Sequence, residues 1–153
     1  MLGSLARKLR ALGFDAVYYK TGEDSGLLEL SRLEGRILLT ADRSLAARAE
    51  SGGVRALLVI GSSDGQRIGS MARGAAASGI ELVRGAPLCS LCGGELRGVP
   101  RGGMTKVPPS VLKRHRLFFE CTHCGQVYWR GSHWKRLMSL AKRLQQKKLA
   151  VVS

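Results

Sequence analysis

Acidic residues are scarce in this sequence of 153 residues, above all in its second half. The chain has 11 Asp and Glu against 25 Lys and Arg, a formal net charge of +14. Residues 1–86 hold 12 basic against 9 acidic residues, a net of +3, whereas residues 87–153 hold 13 against 2, a net of +11. A surface that only keeps a protein in solution usually mixes both signs. The one-signed second half therefore predicts a polyanionic partner.

Long apolar runs are also lacking. No run reaches the roughly 18 residues that a membrane-spanning helix needs, and the N-terminal segment shows helical spacing of leucines instead of the continuous apolar core of a signal peptide. We therefore expect a soluble, cytoplasmic protein with no membrane partner. Bulky aromatic anchors are absent after Trp134, which favours nucleic acid over an anionic membrane. The sequence carries no signal for an oligomeric state.

Helical and strand patterns alternate in residues 1–86. With 44% hydrophobic residues the chain can bury a core, which excludes a disordered polycation. The apolar spacing predicts helices over residues 2–12, 24–32, 44–50 and 66–77, and strands over residues 16–19, 36–40, 56–60 and 80–83. Apart from Arg36 and Thr40 at the ends of the first run, the runs at 36–40 and 56–60 are continuously apolar, as in strands buried on both faces of a parallel sheet. The alternation predicts an α/β domain with a parallel sheet.

The composition changes near residues 84–87, where we place the boundary between a domain of residues 1–86 and a domain of residues 87–153. The second domain has a Gly- and Pro-rich connection over residues 98–109 and short aromatic strands at 117–119 and 127–129. It ends in a basic helix that we predict over residues 134–149.

The four cysteines form two CxxC pairs, Cys89 with Cys92 and Cys121 with Cys124. Two intervening residues let both thiolates of a tight turn bind one tetrahedral ion, and a glycine directly follows each pair. Two disulfides or a redox CxxC are the alternatives, which a cytosolic setting and the paired, glycine-backed pattern disfavour. The pattern predicts one structural Zn²⁺ held by four thiolates. We expect His123, inside the second pair, at the surface.

Two aspartates occupy positions where a catalytic metal can bind. Asp42 follows the apolar strand at 36–40, at the carboxyl edge of a sheet where α/β domains bind ligands. Together with Asp24, at the start of a predicted helix, it can hold Mg²⁺ or Mn²⁺ for attack on a phosphate. The alternative is that both acids are N-caps of the helices that follow them. Spacing alone leaves the two interpretations open.

Three segments together resemble a known family. They are MLGSLARKLRALGFD at 1–15, GRILLTADR at 35–43 and CTHCGQVYWRGSH at 121–133. Over nearly its whole length the chain resembles the Mut-seven-type C-terminal RNase domain. The resemblance implies a PIN-like three-layer sandwich followed by a small zinc ribbon with four cysteine ligands. It also implies a metal-dependent ribonuclease ancestry, with Asp24 and Asp42 in the acidic cluster.

The resemblance also has a point of departure. The family looks as if it begins with a strand that ends in an acidic residue just before the Met-Leu-Gly segment, and this chain starts at Met1. We therefore expect that strand and its carboxylate to be absent and cleavage to be feeble. Asp64 is a weaker match for a further acid.

We expect an RNA-binding protein of this ribonuclease family. The alternative is a non-catalytic RNA-binding or ribosome-associated protein, with ribosomal RNA as its target. A DNA-binding zinc ribbon of the transcription type would explain the cysteine pairs but not the first 86 residues. The basic residues that we expect to contact the nucleic acid are Arg43, Lys106, Arg114, Arg116, Arg130, Lys135, Arg136, Lys142, Arg143, Lys147 and Lys148.

Overall fold

The computed structural model describes residues 2–20, 22–102 and 104–150, and the side chains of residues 143–150 lie outside that description. The chain divides into two compact units. Of the described residues, the first unit comprises 2–5 and 18–82, and the second comprises 6–17 and 83–150. These units are groups of residues that contact one another. The predicted division into domains between residues 86 and 87 stays a prediction.

Helices and strands alternate in the first part of the described chain, and antiparallel strands follow. The elements are α1 (Leu2–Ala11), α2 (Asp24–Leu33), β1 (Leu38–Thr40), α3 (Arg43–Ser51), β2 (Ala56–Leu58), α4 (Asp64–Ala77), β3 (Leu96–Val99), α5 (Pro109–Arg114), β4 (Phe118–Cys121), β5 (Val127–Trp129) and α6 (Ser132–Ala150). No helix among the described residues combines the length and the apolar character that crossing a membrane requires.

The first unit is built on two parallel strands, β1 and β2, paired in register from Leu38 opposite Ala56 to Thr40 opposite Leu58. Its core cluster joins strand and helix residues: Leu38, Leu45, Ala49, Val54 and Ala56, with Leu27, Leu28 and Ala46 packed against them. Helix α3 ends where Gly53 adopts a φ of 74°, a conformation that glycine accepts without strain. The prediction of an α/β fold with a parallel sheet is confirmed.

Two predicted strands are wrong, those over residues 16–19 and 80–83. The Ile80 N–H donates to the Ala75 carbonyl at 2.8 Å, which closes the end of α4, and Val83 is 79% exposed. The Ala16 carbonyl accepts from the Arg10 side chain at 2.6 Å. Backbone groups that a strand would offer to a neighbour are thus bonded to helix ends and an arginine. The strands at 36–40 and 56–60 exist but are shorter than predicted.

The second unit contains a three-stranded antiparallel sheet in the order β3-β4-β5. Strands β4 and β5 and helix α6 were predicted, whereas β3 and α5 fall in or beside the segment interpreted as a connection. Strand β3 has the sequence Leu-Arg-Gly-Val, in which a glycine hides the alternating pattern. Helix α5 starts at a proline, which is favourable at a first helical position although it reads as a loop signal. Phe118, Leu137 and Ala141 are buried in this unit.

Candidate metal centre and nucleic-acid interface

The four cysteines come together in the second unit. All four Sγ atoms lie within 4.8 Å of one another, with Cys89 and Cys124 3.6 Å apart and Cys92 and Cys121 3.5 Å apart. A tetrahedral zinc with bonds of about 2.3 Å places its sulfurs about 3.8 Å apart. All four cysteines are free thiols, and these sulfurs are farther apart than the roughly 2.05 Å of a disulfide bond, which favours a metal site over the disulfide alternative. The cluster fits one tetrahedral ion and can hold zinc.

The two cysteine turns have the same backbone geometry. The Gly93 N–H donates to the Cys89 carbonyl at 2.8 Å, and the Gly125 N–H donates to the Cys121 carbonyl at 3.0 Å. Both glycines have positive φ, 82° and 72°, a region in which side chains with a Cβ are strained. Strand β4 brings Cys121 into the cluster at its last residue, so that the sheet fixes one turn against the other. Glycine directly after each CxxC pair is therefore what these turns require.

Backbone N–H groups point at the sulfurs. Cys121 Sγ accepts from the N–H groups of His123 and Cys124 at 3.4 and 3.5 Å, and Cys92 Sγ accepts from Gly94 at 3.4 Å. A Cβ at Gly94 would lie 2.9 Å from Cys121 Sγ and 2.9 Å from the His123 Cβ, so the space beside the sulfurs admits only glycine. These donors stabilise the negative charge of metal-binding thiolates. His123 itself is exposed, as predicted.

Tyr128 on β5 contacts the most deeply buried sulfur. Its hydroxyl lies 3.0 Å from Cys89 Sγ and 3.1 Å from Ser90 Oγ. Burial raises the pKa of the Cys89 thiol, but hydrogen bonds from Tyr128 and from the Cys92 and Leu91 N–H groups outweigh it and bring the pKa down to about 6. Burial, with the nearby Cys89 sulfur, raises the pKa of Tyr128 to about 12, so the hydroxyl keeps its proton and can donate it.

Ionisation of one sulfur opposes that of its neighbours. The Gly94 N–H lowers the pKa of Cys92, but burial and the hydrogen-bonded sulfurs around it raise that pKa further, to about 12. The pKa of Cys124 is also raised: the Gln126 N–H lowers it, and burial and the Cys89 sulfur raise it. A bound divalent cation removes this opposition, because it favours the thiolate at every ligand. The electrostatics thus suit a cation at the centre of the cluster.

Replacement of Tyr128 by phenylalanine is expected to weaken zinc binding by roughly 10- to 100-fold, as loss of a hydrogen bond to a metal ligand typically does. Competition with a chromophoric chelator measures the affinity. Tyr18→Phe, at a half-buried tyrosine of the first unit, is the matched control and is expected to leave the affinity unchanged. Equal zinc affinity in the Tyr128 variant and the wild type would show that the hydroxyl does not tune the centre.

Arg10 of α1 binds the first cysteine turn. Its Nη1 donates to the carbonyl oxygens of Ser90 and Leu91, at 3.2 and 3.0 Å. The backbone near Arg10 contributes as well, because the Leu88 N–H donates to the Arg10 carbonyl at 2.9 Å. Sequence reasoning missed this residue, since an arginine 80 positions away from a cysteine turn carries no local signal.

The predicted nucleic-acid contacts are mostly at the surface. Arg43 is exposed in the first unit. Seven of the predicted contacts in the second unit are exposed: Lys106, Arg114, Arg116, Arg130, Lys135, Arg136 and Lys142. Arg143, Lys147 and Lys148 belong to α6, but their side chains lie outside the described part of the chain. The Arg130 guanidinium lies over the Phe119 ring, 5.6 Å from its centroid. Whether any of these residues contacts nucleic acid stays a prediction.

The two predicted catalytic acids have structural partners. Asp42 Oδ1 accepts from the N–H groups of Ser44 and Leu45 at 2.8 and 3.2 Å, so Asp42 is the N-cap of α3, as the alternative interpretation proposed. For Asp24 that alternative is wrong, because the N-cap of α2 is Glu23. The Asp24 carboxylate instead forms an ion pair with Arg48 of α3, and both side chains are about half exposed. The catalytic role of Asp42 and Asp24 stays a prediction.

Asp64, the weaker match for a further acid, is a buried residue of the first unit. It is only 9% exposed at the first turn of α4. Its carboxylate accepts from the Ser4 hydroxyl and forms an ion pair with Arg67 at 3.2 Å. Like Asp42, it follows the carboxyl end of a parallel strand. Within residues 2–20, 22–102 and 104–142, however, the four cysteines are the one group of three or more potential ligands close enough to hold an ion.

The fold and the four-cysteine centre define a mixed α/β protein with a site that can hold zinc. Comparison with family models shows a match to the Mut7-C RNAse domain over residues 1–141. The chain belongs to this family, and the resemblance inferred from the sequence is confirmed. Comparisons with curated proteins and with solved structures gave no match.

Proposed function

We propose that this protein binds RNA through its basic C-terminal region. The observation that carries the proposal is the charge: residues 87–153 have a net of +11. Zinc bound by four thiolates changes this to about +9, still strongly positive. Membership of an RNase domain family makes RNA the natural polyanion. Phosphate contacts from exposed lysines and arginines then supply most of the affinity.

We also propose that the four-cysteine centre and the β3-β4-β5 sheet form a zinc ribbon, and that the first unit is a PIN-like sandwich. The antiparallel strands β4 and β5 on either side of the second cysteine turn support the ribbon. The parallel pair β1-β2 with α3 and α4 beside it supports the sandwich. In this arrangement zinc has a structural role, because four thiolates leave no open coordination position.

RNA binding is expected to weaken steeply with salt, because bound phosphates release counterions when lysine and arginine replace them. Fluorescence anisotropy with a labelled RNA, repeated from low to high salt, measures the slope of log K against log salt. Replacement of Lys135, Arg136 and Lys142 by glutamine is expected to flatten this slope by up to about 2 units, at about 0.7 per lost contact to single-stranded RNA.

The matched control is glutamine at Lys20, Arg55 and Arg73, three exposed basic residues of the first unit. It removes the same net charge and is expected to change the slope much less. Equal losses in both triple variants would mean that the protein attracts RNA by net charge alone. An absence of salt-dependent RNA binding by the wild type would overturn the proposal itself.

A second candidate function is metal-dependent RNA cleavage, favoured by the RNase family and by the exposed position of Asp42 just after β1. Asp24 and Asp42 would hold Mg²⁺ or Mn²⁺, and a divalent ion there would supply positive charge against the scissile phosphate. The non-catalytic alternative is supported by the capping bonds of Asp42 and by the ion pair of Asp24. The experiment that separates them is a comparison of substitutions at Asp42, given in the Discussion.

We further propose a cytoplasmic location and ribosomal RNA as the first target to test. Four cysteines free to bind a metal suit a reducing compartment. A ribosome-associated role would need only binding, which the basic region supplies without catalysis. Co-sedimentation of the tagged protein with ribosomal particles at physiological salt tests this target, and exclusive recovery with free protein would contradict it.

A further inference from the structure

One face of the antiparallel sheet carries an aromatic ring with unusual neighbours. The strand pairing aligns Gly98, Phe119 and Tyr128 in one row across β3, β4 and β5. Residues opposite each other in such a row point to the same face. The adjoining row, which contains Arg97 and Glu120, points to the opposite face. Phe119 therefore stands between a tyrosine and a position without a side chain.

Arg130, the residue directly after β5, contacts the Phe119 ring. Its guanidinium carbon lies 5.6 Å from the ring centroid, within the range of a cation–π contact. Arg130 is exposed and Phe119 is half-buried. An arginine plane over an aromatic ring is a pair on which nucleic-acid bases stack, because every base has a π face and the arginine adds charge for the phosphates.

The β3 side of Phe119 is open. A Cβ built on Gly98 meets no heavy atom within 4 Å, and Gly98 is exposed. Its φ is not positive, so the backbone does not require glycine here. Glycine inside a strand weakens the strand, and it often marks a bulge, a tight bend or a place that a ligand or another backbone approaches closely. Because β3 and β5 flank β4, Gly98 and the backbone of Arg130, which directly follows β5, lie on opposite sides of Phe119.

We propose that Gly98, Phe119 and Arg130 form a stacking platform for an unpaired RNA base. This inference rests on the proposed RNA binding and adds that the preferred substrate is single-stranded RNA. A base lying over Gly98 stacks beside Phe119, while Arg130 contacts the ring and the neighbouring phosphate. Bases inside a duplex are stacked on each other and cannot enter, so the platform discriminates by strandedness and tolerates any base. The net of +11 over residues 87–153 supplies the complementary charge for the strand.

The test compares binding of a labelled, unstructured oligouridine with binding of a duplex RNA of equal length at one salt concentration. Phe119→Leu removes the ring, and Gly98→Val fills the space beside it. Each is expected to lower affinity for the single strand roughly 5- to 150-fold, the range for one stacked base, and to shift duplex affinity less than about twofold. Valine has a higher strand propensity than glycine, so Gly98→Val is expected to keep the fold.

Arg130→Gln and Arg97→Gln form a matched pair that removes one positive charge from each face of the sheet. Arg97 lies 3.6 Å from Glu120 on the opposite face, so its loss is expected to leave the single-strand preference intact. Loss of that preference in Arg130→Gln but not in Arg97→Gln supports the platform. Zinc content is measured for every variant and shows whether the sheet is still formed. If Phe119→Leu loses zinc, the comparison of Arg130→Gln with Arg97→Gln tests the platform instead.

The outcomes separate the two proposals. If the wild type binds neither RNA, the proposed function fails. If the wild type binds RNA, but Gly98→Val and Arg130→Gln both keep its affinity and strand preference, the platform is wrong and RNA binding by charge stands.

Discussion

Replacement of Cys121 by serine is expected to abolish zinc binding and to unfold the antiparallel sheet. Cys121 is 2% exposed at the end of β4, and its sulfur lies 3.5 Å from that of Cys92. Binding of a structural zinc contributes on the order of 10 kcal/mol to folding, which is as large as the whole stability of a typical domain. The sheet has three short strands and cannot replace that contribution by burying apolar surface.

Elemental analysis of the purified wild type is expected to give about one zinc per chain, and Cys121→Ser close to none. Far-UV circular dichroism should show that the variant, or the wild type treated with a strong chelator, lacks the transition that belongs to the sheet. His123→Ala is the matched control, because His123 lies between two ligands but is exposed. It should keep both zinc and the melting curve. If the wild type stripped of metal melts with the same curve as the untreated protein, the zinc assignment is refuted.

The convergence of the four cysteines could be predicted because its determinants are local. Two residues between cysteines and a glycine after each pair define a turn whatever the rest of the chain does, and the turns at Cys89 and Cys121 have the same backbone bonds. The contribution of Tyr128 could not be predicted from spacing. It depends on the register of β5, which places the hydroxyl against a sulfur 39 positions earlier. The contact of Arg10 with the first cysteine turn joins residues 80 positions apart, so it could not be predicted from spacing either.

The parallel sheet was also predictable, since continuous apolar runs such as residues 36–40 have few other places in a fold. The two wrongly predicted strands, at residues 16–19 and 80–83, show that a strand-like composition alone is not enough. Residues 80–83 have the composition of a strand, but the N–H of Ile80 closes helix α4 and Val83 is exposed. A short apolar run forms a strand only if another strand lies beside it and if its own backbone N–H and C=O groups are not already bonded elsewhere. Neither property is written in the run itself.

The acids show where local reasoning reaches its limit. An aspartate after a strand and before a helix suits both a metal ligand and an N-cap, and Asp42 does cap α3. Capping does not exclude catalysis, because Oδ1 accepts both N–H bonds and a carboxylate has two oxygens. Asp64 was ranked low because its burial and its bond with Ser4 depend on a contact across 60 residues.

A comparison of Asp42→Asn with Asp42→Ala can separate capping from catalysis. Asparagine caps a helix about as well as aspartate, so the first substitution keeps the fold and removes only the charge. Alanine loses the cap as well, at a cost of about 1 kcal/mol. We expect the purified protein to bind RNA well and to cleave it feebly at best, because Asp42 and Asp24 are already bonded within the fold and the described residues contain no group of three acids close enough to hold an ion.

Any cleavage that is observed should require Mg²⁺ or Mn²⁺ and should fall on the order of 100-fold or more in Asp42→Asn. The positive charge of the metal ion against the phosphate is the main source of such catalysis, and the Asp42 carboxylate would help to hold that ion. RNA affinity should stay the same or rise slightly in that variant, because one repulsive charge is gone. Glu50→Gln removes an equal charge near the other end of α3, so it should affect RNA affinity in the same small way but leave any cleavage unchanged. Vigorous metal-dependent cleavage that Asp42→Asn abolishes, with an unchanged melting temperature, would make this protein an enzyme. Vigorous cleavage that survives the substitution would place the catalytic metal away from Asp42.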